Sequence, residues 1–466
     1  MAEMAEPITV DPSPIHDALP GERLELVART ALRRRVRLVD GEVESVSDSL
    51  TATAMVRSSL DGSVGYATTS RTDPAALAEA VRIARRLRSP GELRHWDGPA
   101  PQPPGDDAIR APWAELVSVG TTESVARLRD LAASASRPGV VKAQATWDHV
   151  AQRVTVAASD GRVVEYRHPE ATLALTVAAA DGSGRSTGTG GRTARCVGEI
   201  SSAEIADEAL EEALRRLPSA RRAAGPAPAT VDLVIAPRAA ARLLAQIAAV
   251  FYGDRPDLDR TGLRAPGARV LAPGLSLIDD GAGPAGLSPT PCDDEGTAAH
   301  RTVLVDDGLL GSLLHDRSSP GPGEGSTGHG WMVPSGSGVG AGIAVAGSVL
   351  ALHGPVHPLD RLLGGAGPVL HVTRIDDGSG RALDAAHNSI RLAMSGWLLR
   401  DGVPLAPVAG AAVGMKLDAF LARIAGTSDV RQNYRTAAGS TLRKGPAVHS
   451  THLWVRDTPV TFREDM

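Results

Sequence analysis

Short Asp-Gly turns between alternating segments recur along the chain and constrain its fold more than any other feature. They lie at residues 40–41, 61–62, 160–161, 181–182, 307–308 and 401–402. Both central residues of a tight hairpin turn need positive φ, and Asp followed by Gly adopts that geometry more readily than most residue pairs. The chain is therefore expected to be rich in antiparallel hairpins with short connections.

The first half repeats a pattern of hairpins followed by a helix. In the first copy, strands are expected at 35–39, 42–46, 51–57 and 64–69, before a helix at 75–87. Asp73 at its cap and Pro74 at its first position suit the unpaired amides of a helix N-terminus. In the second copy, strands are expected at 154–158, 163–167 and 172–178, before a helix that Ser202 caps and that runs through Leu217. A further helix is expected between the two copies, at 122–134.

These elements predict an N-terminal α/β domain of residues 21–225 with duplicated hairpin-helix units. The repetition favours duplication no more than independent origin, because hairpins followed by helices also arise separately. Residues 1–20 precede the first expected strand and are rich in proline and acidic side chains. We expect them to form a disordered leader.

After a linker at 223–228, the chain becomes rich in glycine turns and strands. A strand at 231–235 and a helix at 237–251 come first. Further strands are expected at 275–278, 302–305, 309–314, 342–349, 369–375, 390–399 and 451–455. Regularly spaced strands with few helices predict a C-terminal β-rich, barrel-like domain of residues 226–466. The whole chain is therefore expected to be an α+β protein.

Charge and cysteine content exclude several classes of function. The net charge is −5, so the basic surface that neutralises nucleic-acid phosphates is missing and no direct nucleic-acid partner is expected. The two cysteines lie far apart in the sequence, which rules out a disulfide-stapled scaffold. No apolar run approaches the roughly 18 residues of a membrane span, and the acidic start resembles no signal or transit peptide. We therefore expect a soluble cytoplasmic protein without a membrane partner.

The most specific sequence pattern lies at residues 293–330. This segment reads DDEGTAAHRTVLVDDGLLGSLLHDRSSPGPGEGSTGHG, with an acidic glycine turn, a hairpin and a Gly/Ser/Pro loop. The order resembles the TldD/PmbA family of peptidases and their peptidase-like partners. VDLVIAPRAAARLL (231–244) and LRDGVPLAPVAGAAVGMKLDAFLARI (399–424) are similar to the family as well, and the resemblance spans roughly residues 33 to 460.

The resemblance has consequences for metal binding. Catalytic family members carry His-Glu-x-x-x-His on a helix, where the two histidines bind zinc and the glutamate activates a water. The matching positions here are Ala245, Gln246 and Val250, none of which can bind zinc. Catalytic members also have a cysteine ligand near the C-terminus, and the matching segment 439–446 has none. The resemblance therefore implies a TldE/PmbA-type subunit with no catalytic residue, metal or cofactor of its own, paired with a TldD-like subunit that bears zinc.

In such a heterodimer the chain would help to enclose and bind a peptide substrate, in general proteolysis or in the maturation of a peptide natural product. The candidate cleft-lining residues are Gln246, Asp254, Asp293, Asp294, Glu295, His300, Arg317 and His329. Two other functions stay open: an independent hydrolase that uses the acidic residues 293–295 with His300, and a regulatory binding module. A structural role for the acidic turn, whose carboxylates would accept backbone amides near Gly296, competes with all of these.

Overall fold

The computed structural model describes residues 7–91, 106–217, 228–283, 290–319, 325–334, 341–376, 382–435 and 446–462. Within these ranges the chain forms two large sheets, a two-stranded ribbon and helices on the sheet faces. The α+β class predicted from the sequence is confirmed. No helix of the described ranges is long and apolar enough to cross a membrane.

The first half of the chain forms a single antiparallel sheet with four helices. Its strands are β1 (Arg23–Val39), β2 (Glu42–Leu60), β3 (Ser63–Thr69), β4 (Ser89–Pro90), β5 (Val140–Ala158), β6 (Val163–Asp181) and β7 (Gly184–Ala194). They are arranged in the order β4-β3-β2-β1-β5-β6-β7. The helices are α1 (Pro74–Arg86), α2 (Asp106–Ser118), α3 (Thr121–Ser134) and α4 (Ser202–Arg215).

Several strands of this sheet are much longer than the sequence predicted. β2 continues through residues 47–50, which were expected to separate two strands. Its first ten residues are exposed on both faces, so the alternation of buried and exposed side chains that marks a half-buried strand is missing there. Pairing with β1 holds this part in place, and the guanidinium of Arg34 reaches the carboxylate of Asp48 at 2.7 Å.

The first sheet consists of two matching units, β1-β2-β3-α1 and β5-β6-β7-α4, which meet where β1 pairs with β5. A glycine in the third strand lies directly under the closing helix in each unit. A Cβ on Gly65 would lie 2.1 Å from the carbonyl oxygen of Ala84, and one on Gly190 would lie 2.0 Å from that of Ile205. The repeated pattern in the sequence therefore corresponds to a repeated structure.

The helix caps agree with the sequence in one unit and differ by one residue in the other. Asp73 accepts a hydrogen bond from the backbone N–H of Ala76, and Pro74 opens α1, as predicted. In α4 the capping side chain is Ser201, which accepts from the backbone N–H of Glu204, rather than Ser202. Both serines precede the same apolar stripe, so the sequence alone does not distinguish them.

Residues 7–20 differ from the expected disordered leader. They include a short 3₁₀ helix, Ser13–His16, and the side chains of Val10 and Ile15 are buried against the first sheet. The hydroxyl of Thr30 also donates to the carbonyl of Ile8 at 2.7 Å. Packing against α1 and β1 holds this segment, and its scattered apolar residues gave no periodic signal.

The second half forms a sheet of thirteen strands and a separate ribbon. Its strands are β8 (Thr230–Ile235), β9 (Ser276–Asp280), β10 (Arg301–Asp306), β11 (Leu309–Leu310), β14 (Val349–His353), β15 (Val356–His357), β16 (Val369–Asp376), β17 (Leu383–Asp384), β18 (Ser389–Arg400), β19 (Val403–Lys416), β20 (Ile424–Arg435), β21 (Ala447–Pro459) and β22 (Thr461–Phe462). The ribbon is β12 (Gly330–Pro334) with β13 (Ala341–Val345), and the helices are α5 (Pro237–Ala248), α6 (Leu359–Leu363) and α7 (Leu417–Leu421).

This sheet is open, which corrects the barrel-like architecture expected from the sequence. Its main path runs β11-β10-β9-β14-β21-β8-β16-β18-β19-β22, and the end strands β11 and β22 do not pair with each other. β8 pairs in parallel with β16, and β14 in parallel with β21, so distant segments of the chain are inserted between hairpins. Turn residues predict hairpins but carry no information about such long-range pairings. Whether the sheet closes into a barrel could therefore not be predicted from them.

Helices cover both faces of the second sheet. On one face α5 packs its apolar side chains, including Leu243 and Ile247, into the largest hydrophobic core of the molecule. On the other face the short helix α6 covers a smaller cluster that contains Trp397 and Trp454. Adjacent residues on one strand serve different faces, as Leu233 and Val234 do. The two faces therefore offer separate environments for ligands.

Candidate functional site

The end of α5 is the natural starting point, because the resemblance places the zinc-binding residues of catalytic relatives there. Ala245 and Gln246 are partly buried on the last turn of α5. Val250 follows in a 3₁₀ turn and is only 1% exposed, packed into the core. Methyl and isopropyl groups offer no lone pair to a metal, and an amide is no general base at neutral pH. These three residues do not fit a zinc ion.

A tightly packed segment follows this helix. The backbone N–H of Gly253 donates to the carbonyl of Leu314 at 2.7 Å, and the backbone N–H of Gly347 donates to the hydroxyl of Tyr252 at 3.1 Å. A Cβ on Gly253 would lie 2.1 Å from the ring of His315, so only glycine allows this approach. The segment is thereby fixed between the stretch that follows β11 and the stretch that follows β13.

Asp254, the next residue, is a partly exposed carboxylate whose two oxygens lie in different environments. Its Oδ2 accepts from the backbone N–H of Val345 at 2.9 Å, whereas Oδ1 is buried and has no hydrogen-bond partner within the described residues. Burial raises the pKa of Asp254, and the nearby charge of Asp316 raises it further. A carboxyl group with increased proton affinity beside the end of α5 can exchange a proton or bind a cationic group.

The acidic turn at 293–295 is buried and its carboxylates are all engaged. Asp293 accepts from the backbone N–H groups of Glu295, Thr297 and Gly330 at distances of 2.8 to 3.0 Å. Oδ2 of Asp294 accepts from the backbone N–H of Met332 at 2.7 Å. The acidic turn therefore has the structural role considered for it, in which its carboxylates accept hydrogen bonds from backbone N–H groups.

The same turn joins the two halves of the chain through buried ion pairs. Arg29 of β1 bonds to Asp294, and Arg57 of β2 bonds to Glu295. Oε2 of Glu295 also accepts from the backbone N–H of Arg317 at 2.7 Å. Each of these side chains projects from the face of the first sheet that lies opposite α1, or from the turn packed against that face.

Glu25 completes this interdomain cluster. Its carboxylate lies 2.6 Å from the guanidinium of Arg57 and also bonds to Arg317. Burial alone would raise its pKa, but the charges of Arg57, Arg317 and Arg23 together lower the pKa of Glu25 to about 2. The cluster thus buries positively and negatively charged side chains together. It stabilises the contact between the two halves of the chain only while each charged side chain keeps its partner.

The structure brings some of the sequence candidates together and separates others. Asp293, Asp294, Glu295 and Arg317 meet at the interdomain cluster, all of them buried. His329 is buried nearby, with Nε2 at 3.1 Å from Oδ1 of Asp279 and Nδ1 at 2.9 Å from the hydroxyl of Thr327. By contrast, His300 is exposed, and its Nδ1 lies 3.3 Å from the carbonyl oxygen of Ala298. Gln246 and Asp254 lie at the end of α5.

Sequence reasoning missed the three charged residues that the first sheet contributes. Glu25, Arg29 and Arg57 occupy inward positions of β1 and β2, each flanked on both sides by buried residues. A charged residue at such a position was a usable signal, because charged side chains are rarely buried without a partner. Their partners in the second half of the chain lie more than 200 positions away, so that pairing was not visible.

No group of three or more His, Cys, Asp or Glu side chains that could hold a metal ion occurs among the residues that the structure describes. The predicted cysteine-free segment at 439–446 lies outside those residues except for Pro446. Both cysteines are free thiols, and burial raises the pKa of Cys196 to about 12 and that of Cys292 still more strongly. Neither thiol is therefore an activated nucleophile.

Comparison with known structures shows the same fold in three proteins. A proposed modulator of a DNA gyrase from Thermotoga maritima superposes with a TM-score of 0.73 over 95% of this chain and 96% of that one, at 17% identity. TldE from Thermococcus kodakarensis gives a TM-score of 0.73 over 94% and 96% of the two chains, at 16% identity. A proposed modulator of DNA gyrase from Bacteroides thetaiotaomicron gives 0.73 over 97% and 98%, at 15% identity.

Curated relatives match by sequence over shorter lengths. A metalloprotease from Methanothermobacter thermautotrophicus is 26% identical over 314 residues, which is 64% of this chain and 65% of that protein. An uncharacterised protein from Methanocaldococcus jannaschii is 34% identical over 87 residues, 18% of this chain and 21% of that protein. The chain thus spans less than two thirds of the length of either relative.

Family models match nearly the whole chain in consecutive segments. The PmbA/TldA metallopeptidase domain 1 matches residues 24–88, the central domain matches 115–217, and the C-terminal domain matches 228–451. The order of the three domains is the order along this chain, and the resemblance found in the sequence is confirmed. The chain therefore belongs to the TldD/PmbA metallopeptidase family.

Proposed function

We propose that this chain is the zinc-free subunit of a two-chain peptidase, in which a TldD-like partner supplies the metal and this chain supplies part of the wall and peptide contacts. The observation that carries the proposal is the composition of the α5 end. Ala245, Gln246 and Val250 stand where the resemblance puts two zinc ligands and the base, and Val250 is embedded in the core. α5 and the core around it are formed although the zinc-binding residues are missing from these positions.

The ribbon of β12 and β13 is the part of this chain best suited to hold an extended peptide. Within the described ranges its two strands pair only with each other. The outer edge of β12 is taken up by the acidic turn, to which Gly330 and Met332 donate their backbone N–H groups, so the outer edge of β13 is the candidate for a peptide. Such an edge binds unfolded peptide through main-chain hydrogen bonds with little demand on sequence. Asp254 accepts the Val345 N–H at the end of the β13 edge, which makes it a contact for a peptide bound along β13.

Gln246 is the second proposed peptide contact, because it is partly exposed on the last turn of α5. The buried candidates from the sequence hold the ribbon in place without contacting the peptide; they are Asp293, Asp294, Glu295, Arg317 and His329. The acidic turn fixes the start of β12, since the backbone N–H groups of Gly330 and Met332 donate to the carboxylates of Asp293 and Asp294. We place the assembly in the cytoplasm, where the two free cysteines would stay reduced.

Co-expression with a TldD-like homologue that carries His-Glu-x-x-x-His tests the assembly. Gel filtration should give one peak that contains both chains, and zinc should co-elute with it. The matched control is co-expression with the same homologue after its two histidines are replaced, which separates assembly from metal binding. Two separate peaks for the intact proteins would contradict the proposal.

A further inference from the structure

A cavity of about 470 Å³ lies on the face of the second sheet that is covered by α6. Its walls include the indole of Trp454 and the side chain of Leu362, and the ring of His357 meets the indole edge to face at 5.2 Å. The volume is within the range of sites that bind small ligands. Trp454 and Val234 lie on this face, whereas their neighbours Leu453 and Leu233 face α5. The cavity is therefore separate from the candidate site at the end of α5.

Two guanidinium groups line this cavity without a carboxylate partner in the described ranges. Arg361 extends from α6, and the guanidinium of Arg456 lies 5.4 Å from the centre of the Trp454 ring. The carboxylate of Asp232 is already engaged, since it accepts from the indole N–H of Trp454 at 3.1 Å and from the backbone N–H of Asp457 at 2.9 Å. The side chain of Asp457 is the one other carboxylate among the lining residues, so two aspartates balance the two arginines in formal charge, while Arg361 and Arg456 keep guanidinium groups that pair with neither.

We propose that this cavity binds the C-terminal residue of a peptide. Arg361 and Arg456 hold the terminal carboxylate, because guanidinium groups form strong, directional hydrogen bonds to carboxylates. An apolar terminal side chain packs against Trp454 and Leu362, where it removes apolar surface from water. The proposal rests on the proposed function only in taking a peptide as the ligand.

One part of the cavity wall favours a peptide end over a compact acid. The lining residues at 364–367 read Gly-Gly-Ala-Gly, so this part of the wall has almost no side chains to block a main chain that continues along it. A free amino acid or an inorganic anion would leave this part of the cavity unfilled. The site would thus anchor a substrate or product end on the side of the sheet opposite α5.

Calorimetric titration of the full chain alone, without partner or zinc, tests the proposal. The probes are an N-acetylated tetrapeptide that ends in leucine, the same peptide as its C-terminal amide, N-acetyl-leucine and inorganic phosphate. The free-acid peptide should bind at least about ten-fold more tightly than the amide, since only the acid carries the charge that pairs with the guanidinium groups. Arg361→Ala and Arg456→Ala should each weaken its binding about five- to ten-fold.

Arg400→Ala is the matched control, because Arg400 is an exposed arginine of the same domain outside the cavity. It should leave the affinity unchanged, and the melting temperatures of all three variants should match that of the unaltered chain. Equal binding of acid and amide, or no binding of the peptide, would overturn the proposal. Binding of N-acetyl-leucine or phosphate as tight as that of the peptide would also overturn it, by showing a small-anion site. Assembly with the zinc-bearing partner is not needed for any arm, so failure here leaves the proposed function standing.

Discussion

The backbone N–H of Val345 donates a hydrogen bond of 2.9 Å to Oδ2 of Asp254, which ties the ribbon to the segment that follows α5. The bond fixes one carboxylate oxygen and leaves the other, Oδ1, buried without a partner in the described residues. Asp254 thereby combines a fixed position with a raised pKa, the two properties that a peptide contact or a proton donor needs.

Replacement of Asp254 by Asn should lower peptide cleavage by the two-chain enzyme about ten-fold, equivalent to about 1.4 kcal/mol of transition-state stabilisation. Asparagine retains an oxygen that can accept from Val345, but it cannot ionise. Zinc content, measured by elemental analysis, should not change. Asp257→Asn is the control, because Asp257 lies three residues on, is exposed and pairs with Arg255. Cleavage by the Asp254→Asn variant at the unaltered rate would show that Asp254 does not contribute to the site.

Arg57→Ala should destabilise the chain strongly. The change leaves the carboxylates of Glu25 and Glu295 buried without their shared partner, and loss of one member of a buried ion pair costs about 3–5 kcal/mol. Urea denaturation measures the free energy of unfolding. Arg71→Ala is the control and should change it by less than about 0.5 kcal/mol, because Arg71 is a surface residue. Similar losses in the two variants would show that the interdomain cluster does not stabilise the fold.

The stability of the chain should fall in acid because of buried neutral histidines. Burial lowers the pKa of His149 to about 4, and its Nδ1 accepts from the indole N–H of Trp147 at 2.7 Å. The unfolded chain binds this proton near pH 6.5 and the folded chain only near pH 4, so stability is fully present above 6.5 and lost as the pH falls between these values. The loss is on the order of 3 kcal/mol for this group by pH 4.

His149→Gln should flatten that part of the stability profile, because the glutamine oxygen can accept from Trp147 and does not titrate. The measurement is urea denaturation at several pH values between 4 and 7. His300→Gln, which alters an exposed histidine, should leave the slope as it is. An unchanged slope in His149→Gln would mean that other groups cause the acid loss. The buried His452, whose pKa burial also lowers to about 4, would be the next to replace.

Gly190→Ala should weaken the packing of α4 on the first sheet. The added Cβ would lie 2.0 Å from the carbonyl oxygen of Ile205, so strand and helix must separate, at a cost of about 1–3 kcal/mol. Gly182→Ala is the control, since no heavy atom lies within 4 Å of its added Cβ. Thermal unfolding of the two variants compares them directly. Equal melting temperatures would contradict the close approach of helix and strand.

Local features of the fold could be predicted well from the sequence, because short-range chemistry determines them. The turns at 40–41, 61–62, 307–308 and 401–402 lie between paired strands in the structure, with Asp and Gly at positive φ in each. The helix that Asp73 caps was placed correctly for the same reason. The open second sheet was not, since the parallel pairing of β8 with β16 joins segments more than 130 residues apart.

The candidate site was predictable in part. The positions of Ala245, Gln246 and Val250 followed from the resemblance. The first two lie on α5 as expected, whereas the helix ends at Ala248 and Val250 lies in the 3₁₀ turn that follows. The burial of the acidic turn at 293–295 was not visible, because its partners Arg29 and Arg57 lie on strands of the other half of the chain. Sequence periodicity shows which face of a strand is inward, but it does not show what that face meets.

Peptide cleavage by the co-purified pair, with the metal motif altered in one chain at a time, tests the central claim most directly. The first preparation is the unaltered pair, and the second carries a Glu→Gln change in the His-Glu-x-x-x-His motif of the partner. The third is this chain alone with Ala245→His, Gln246→Glu and Val250→His. The division of roles between the two chains predicts cleavage by the first preparation only, because the third buries an imidazole in the core and lacks supporting ligands. Cleavage that persists in the second preparation, or that the third alone matches, would contradict it.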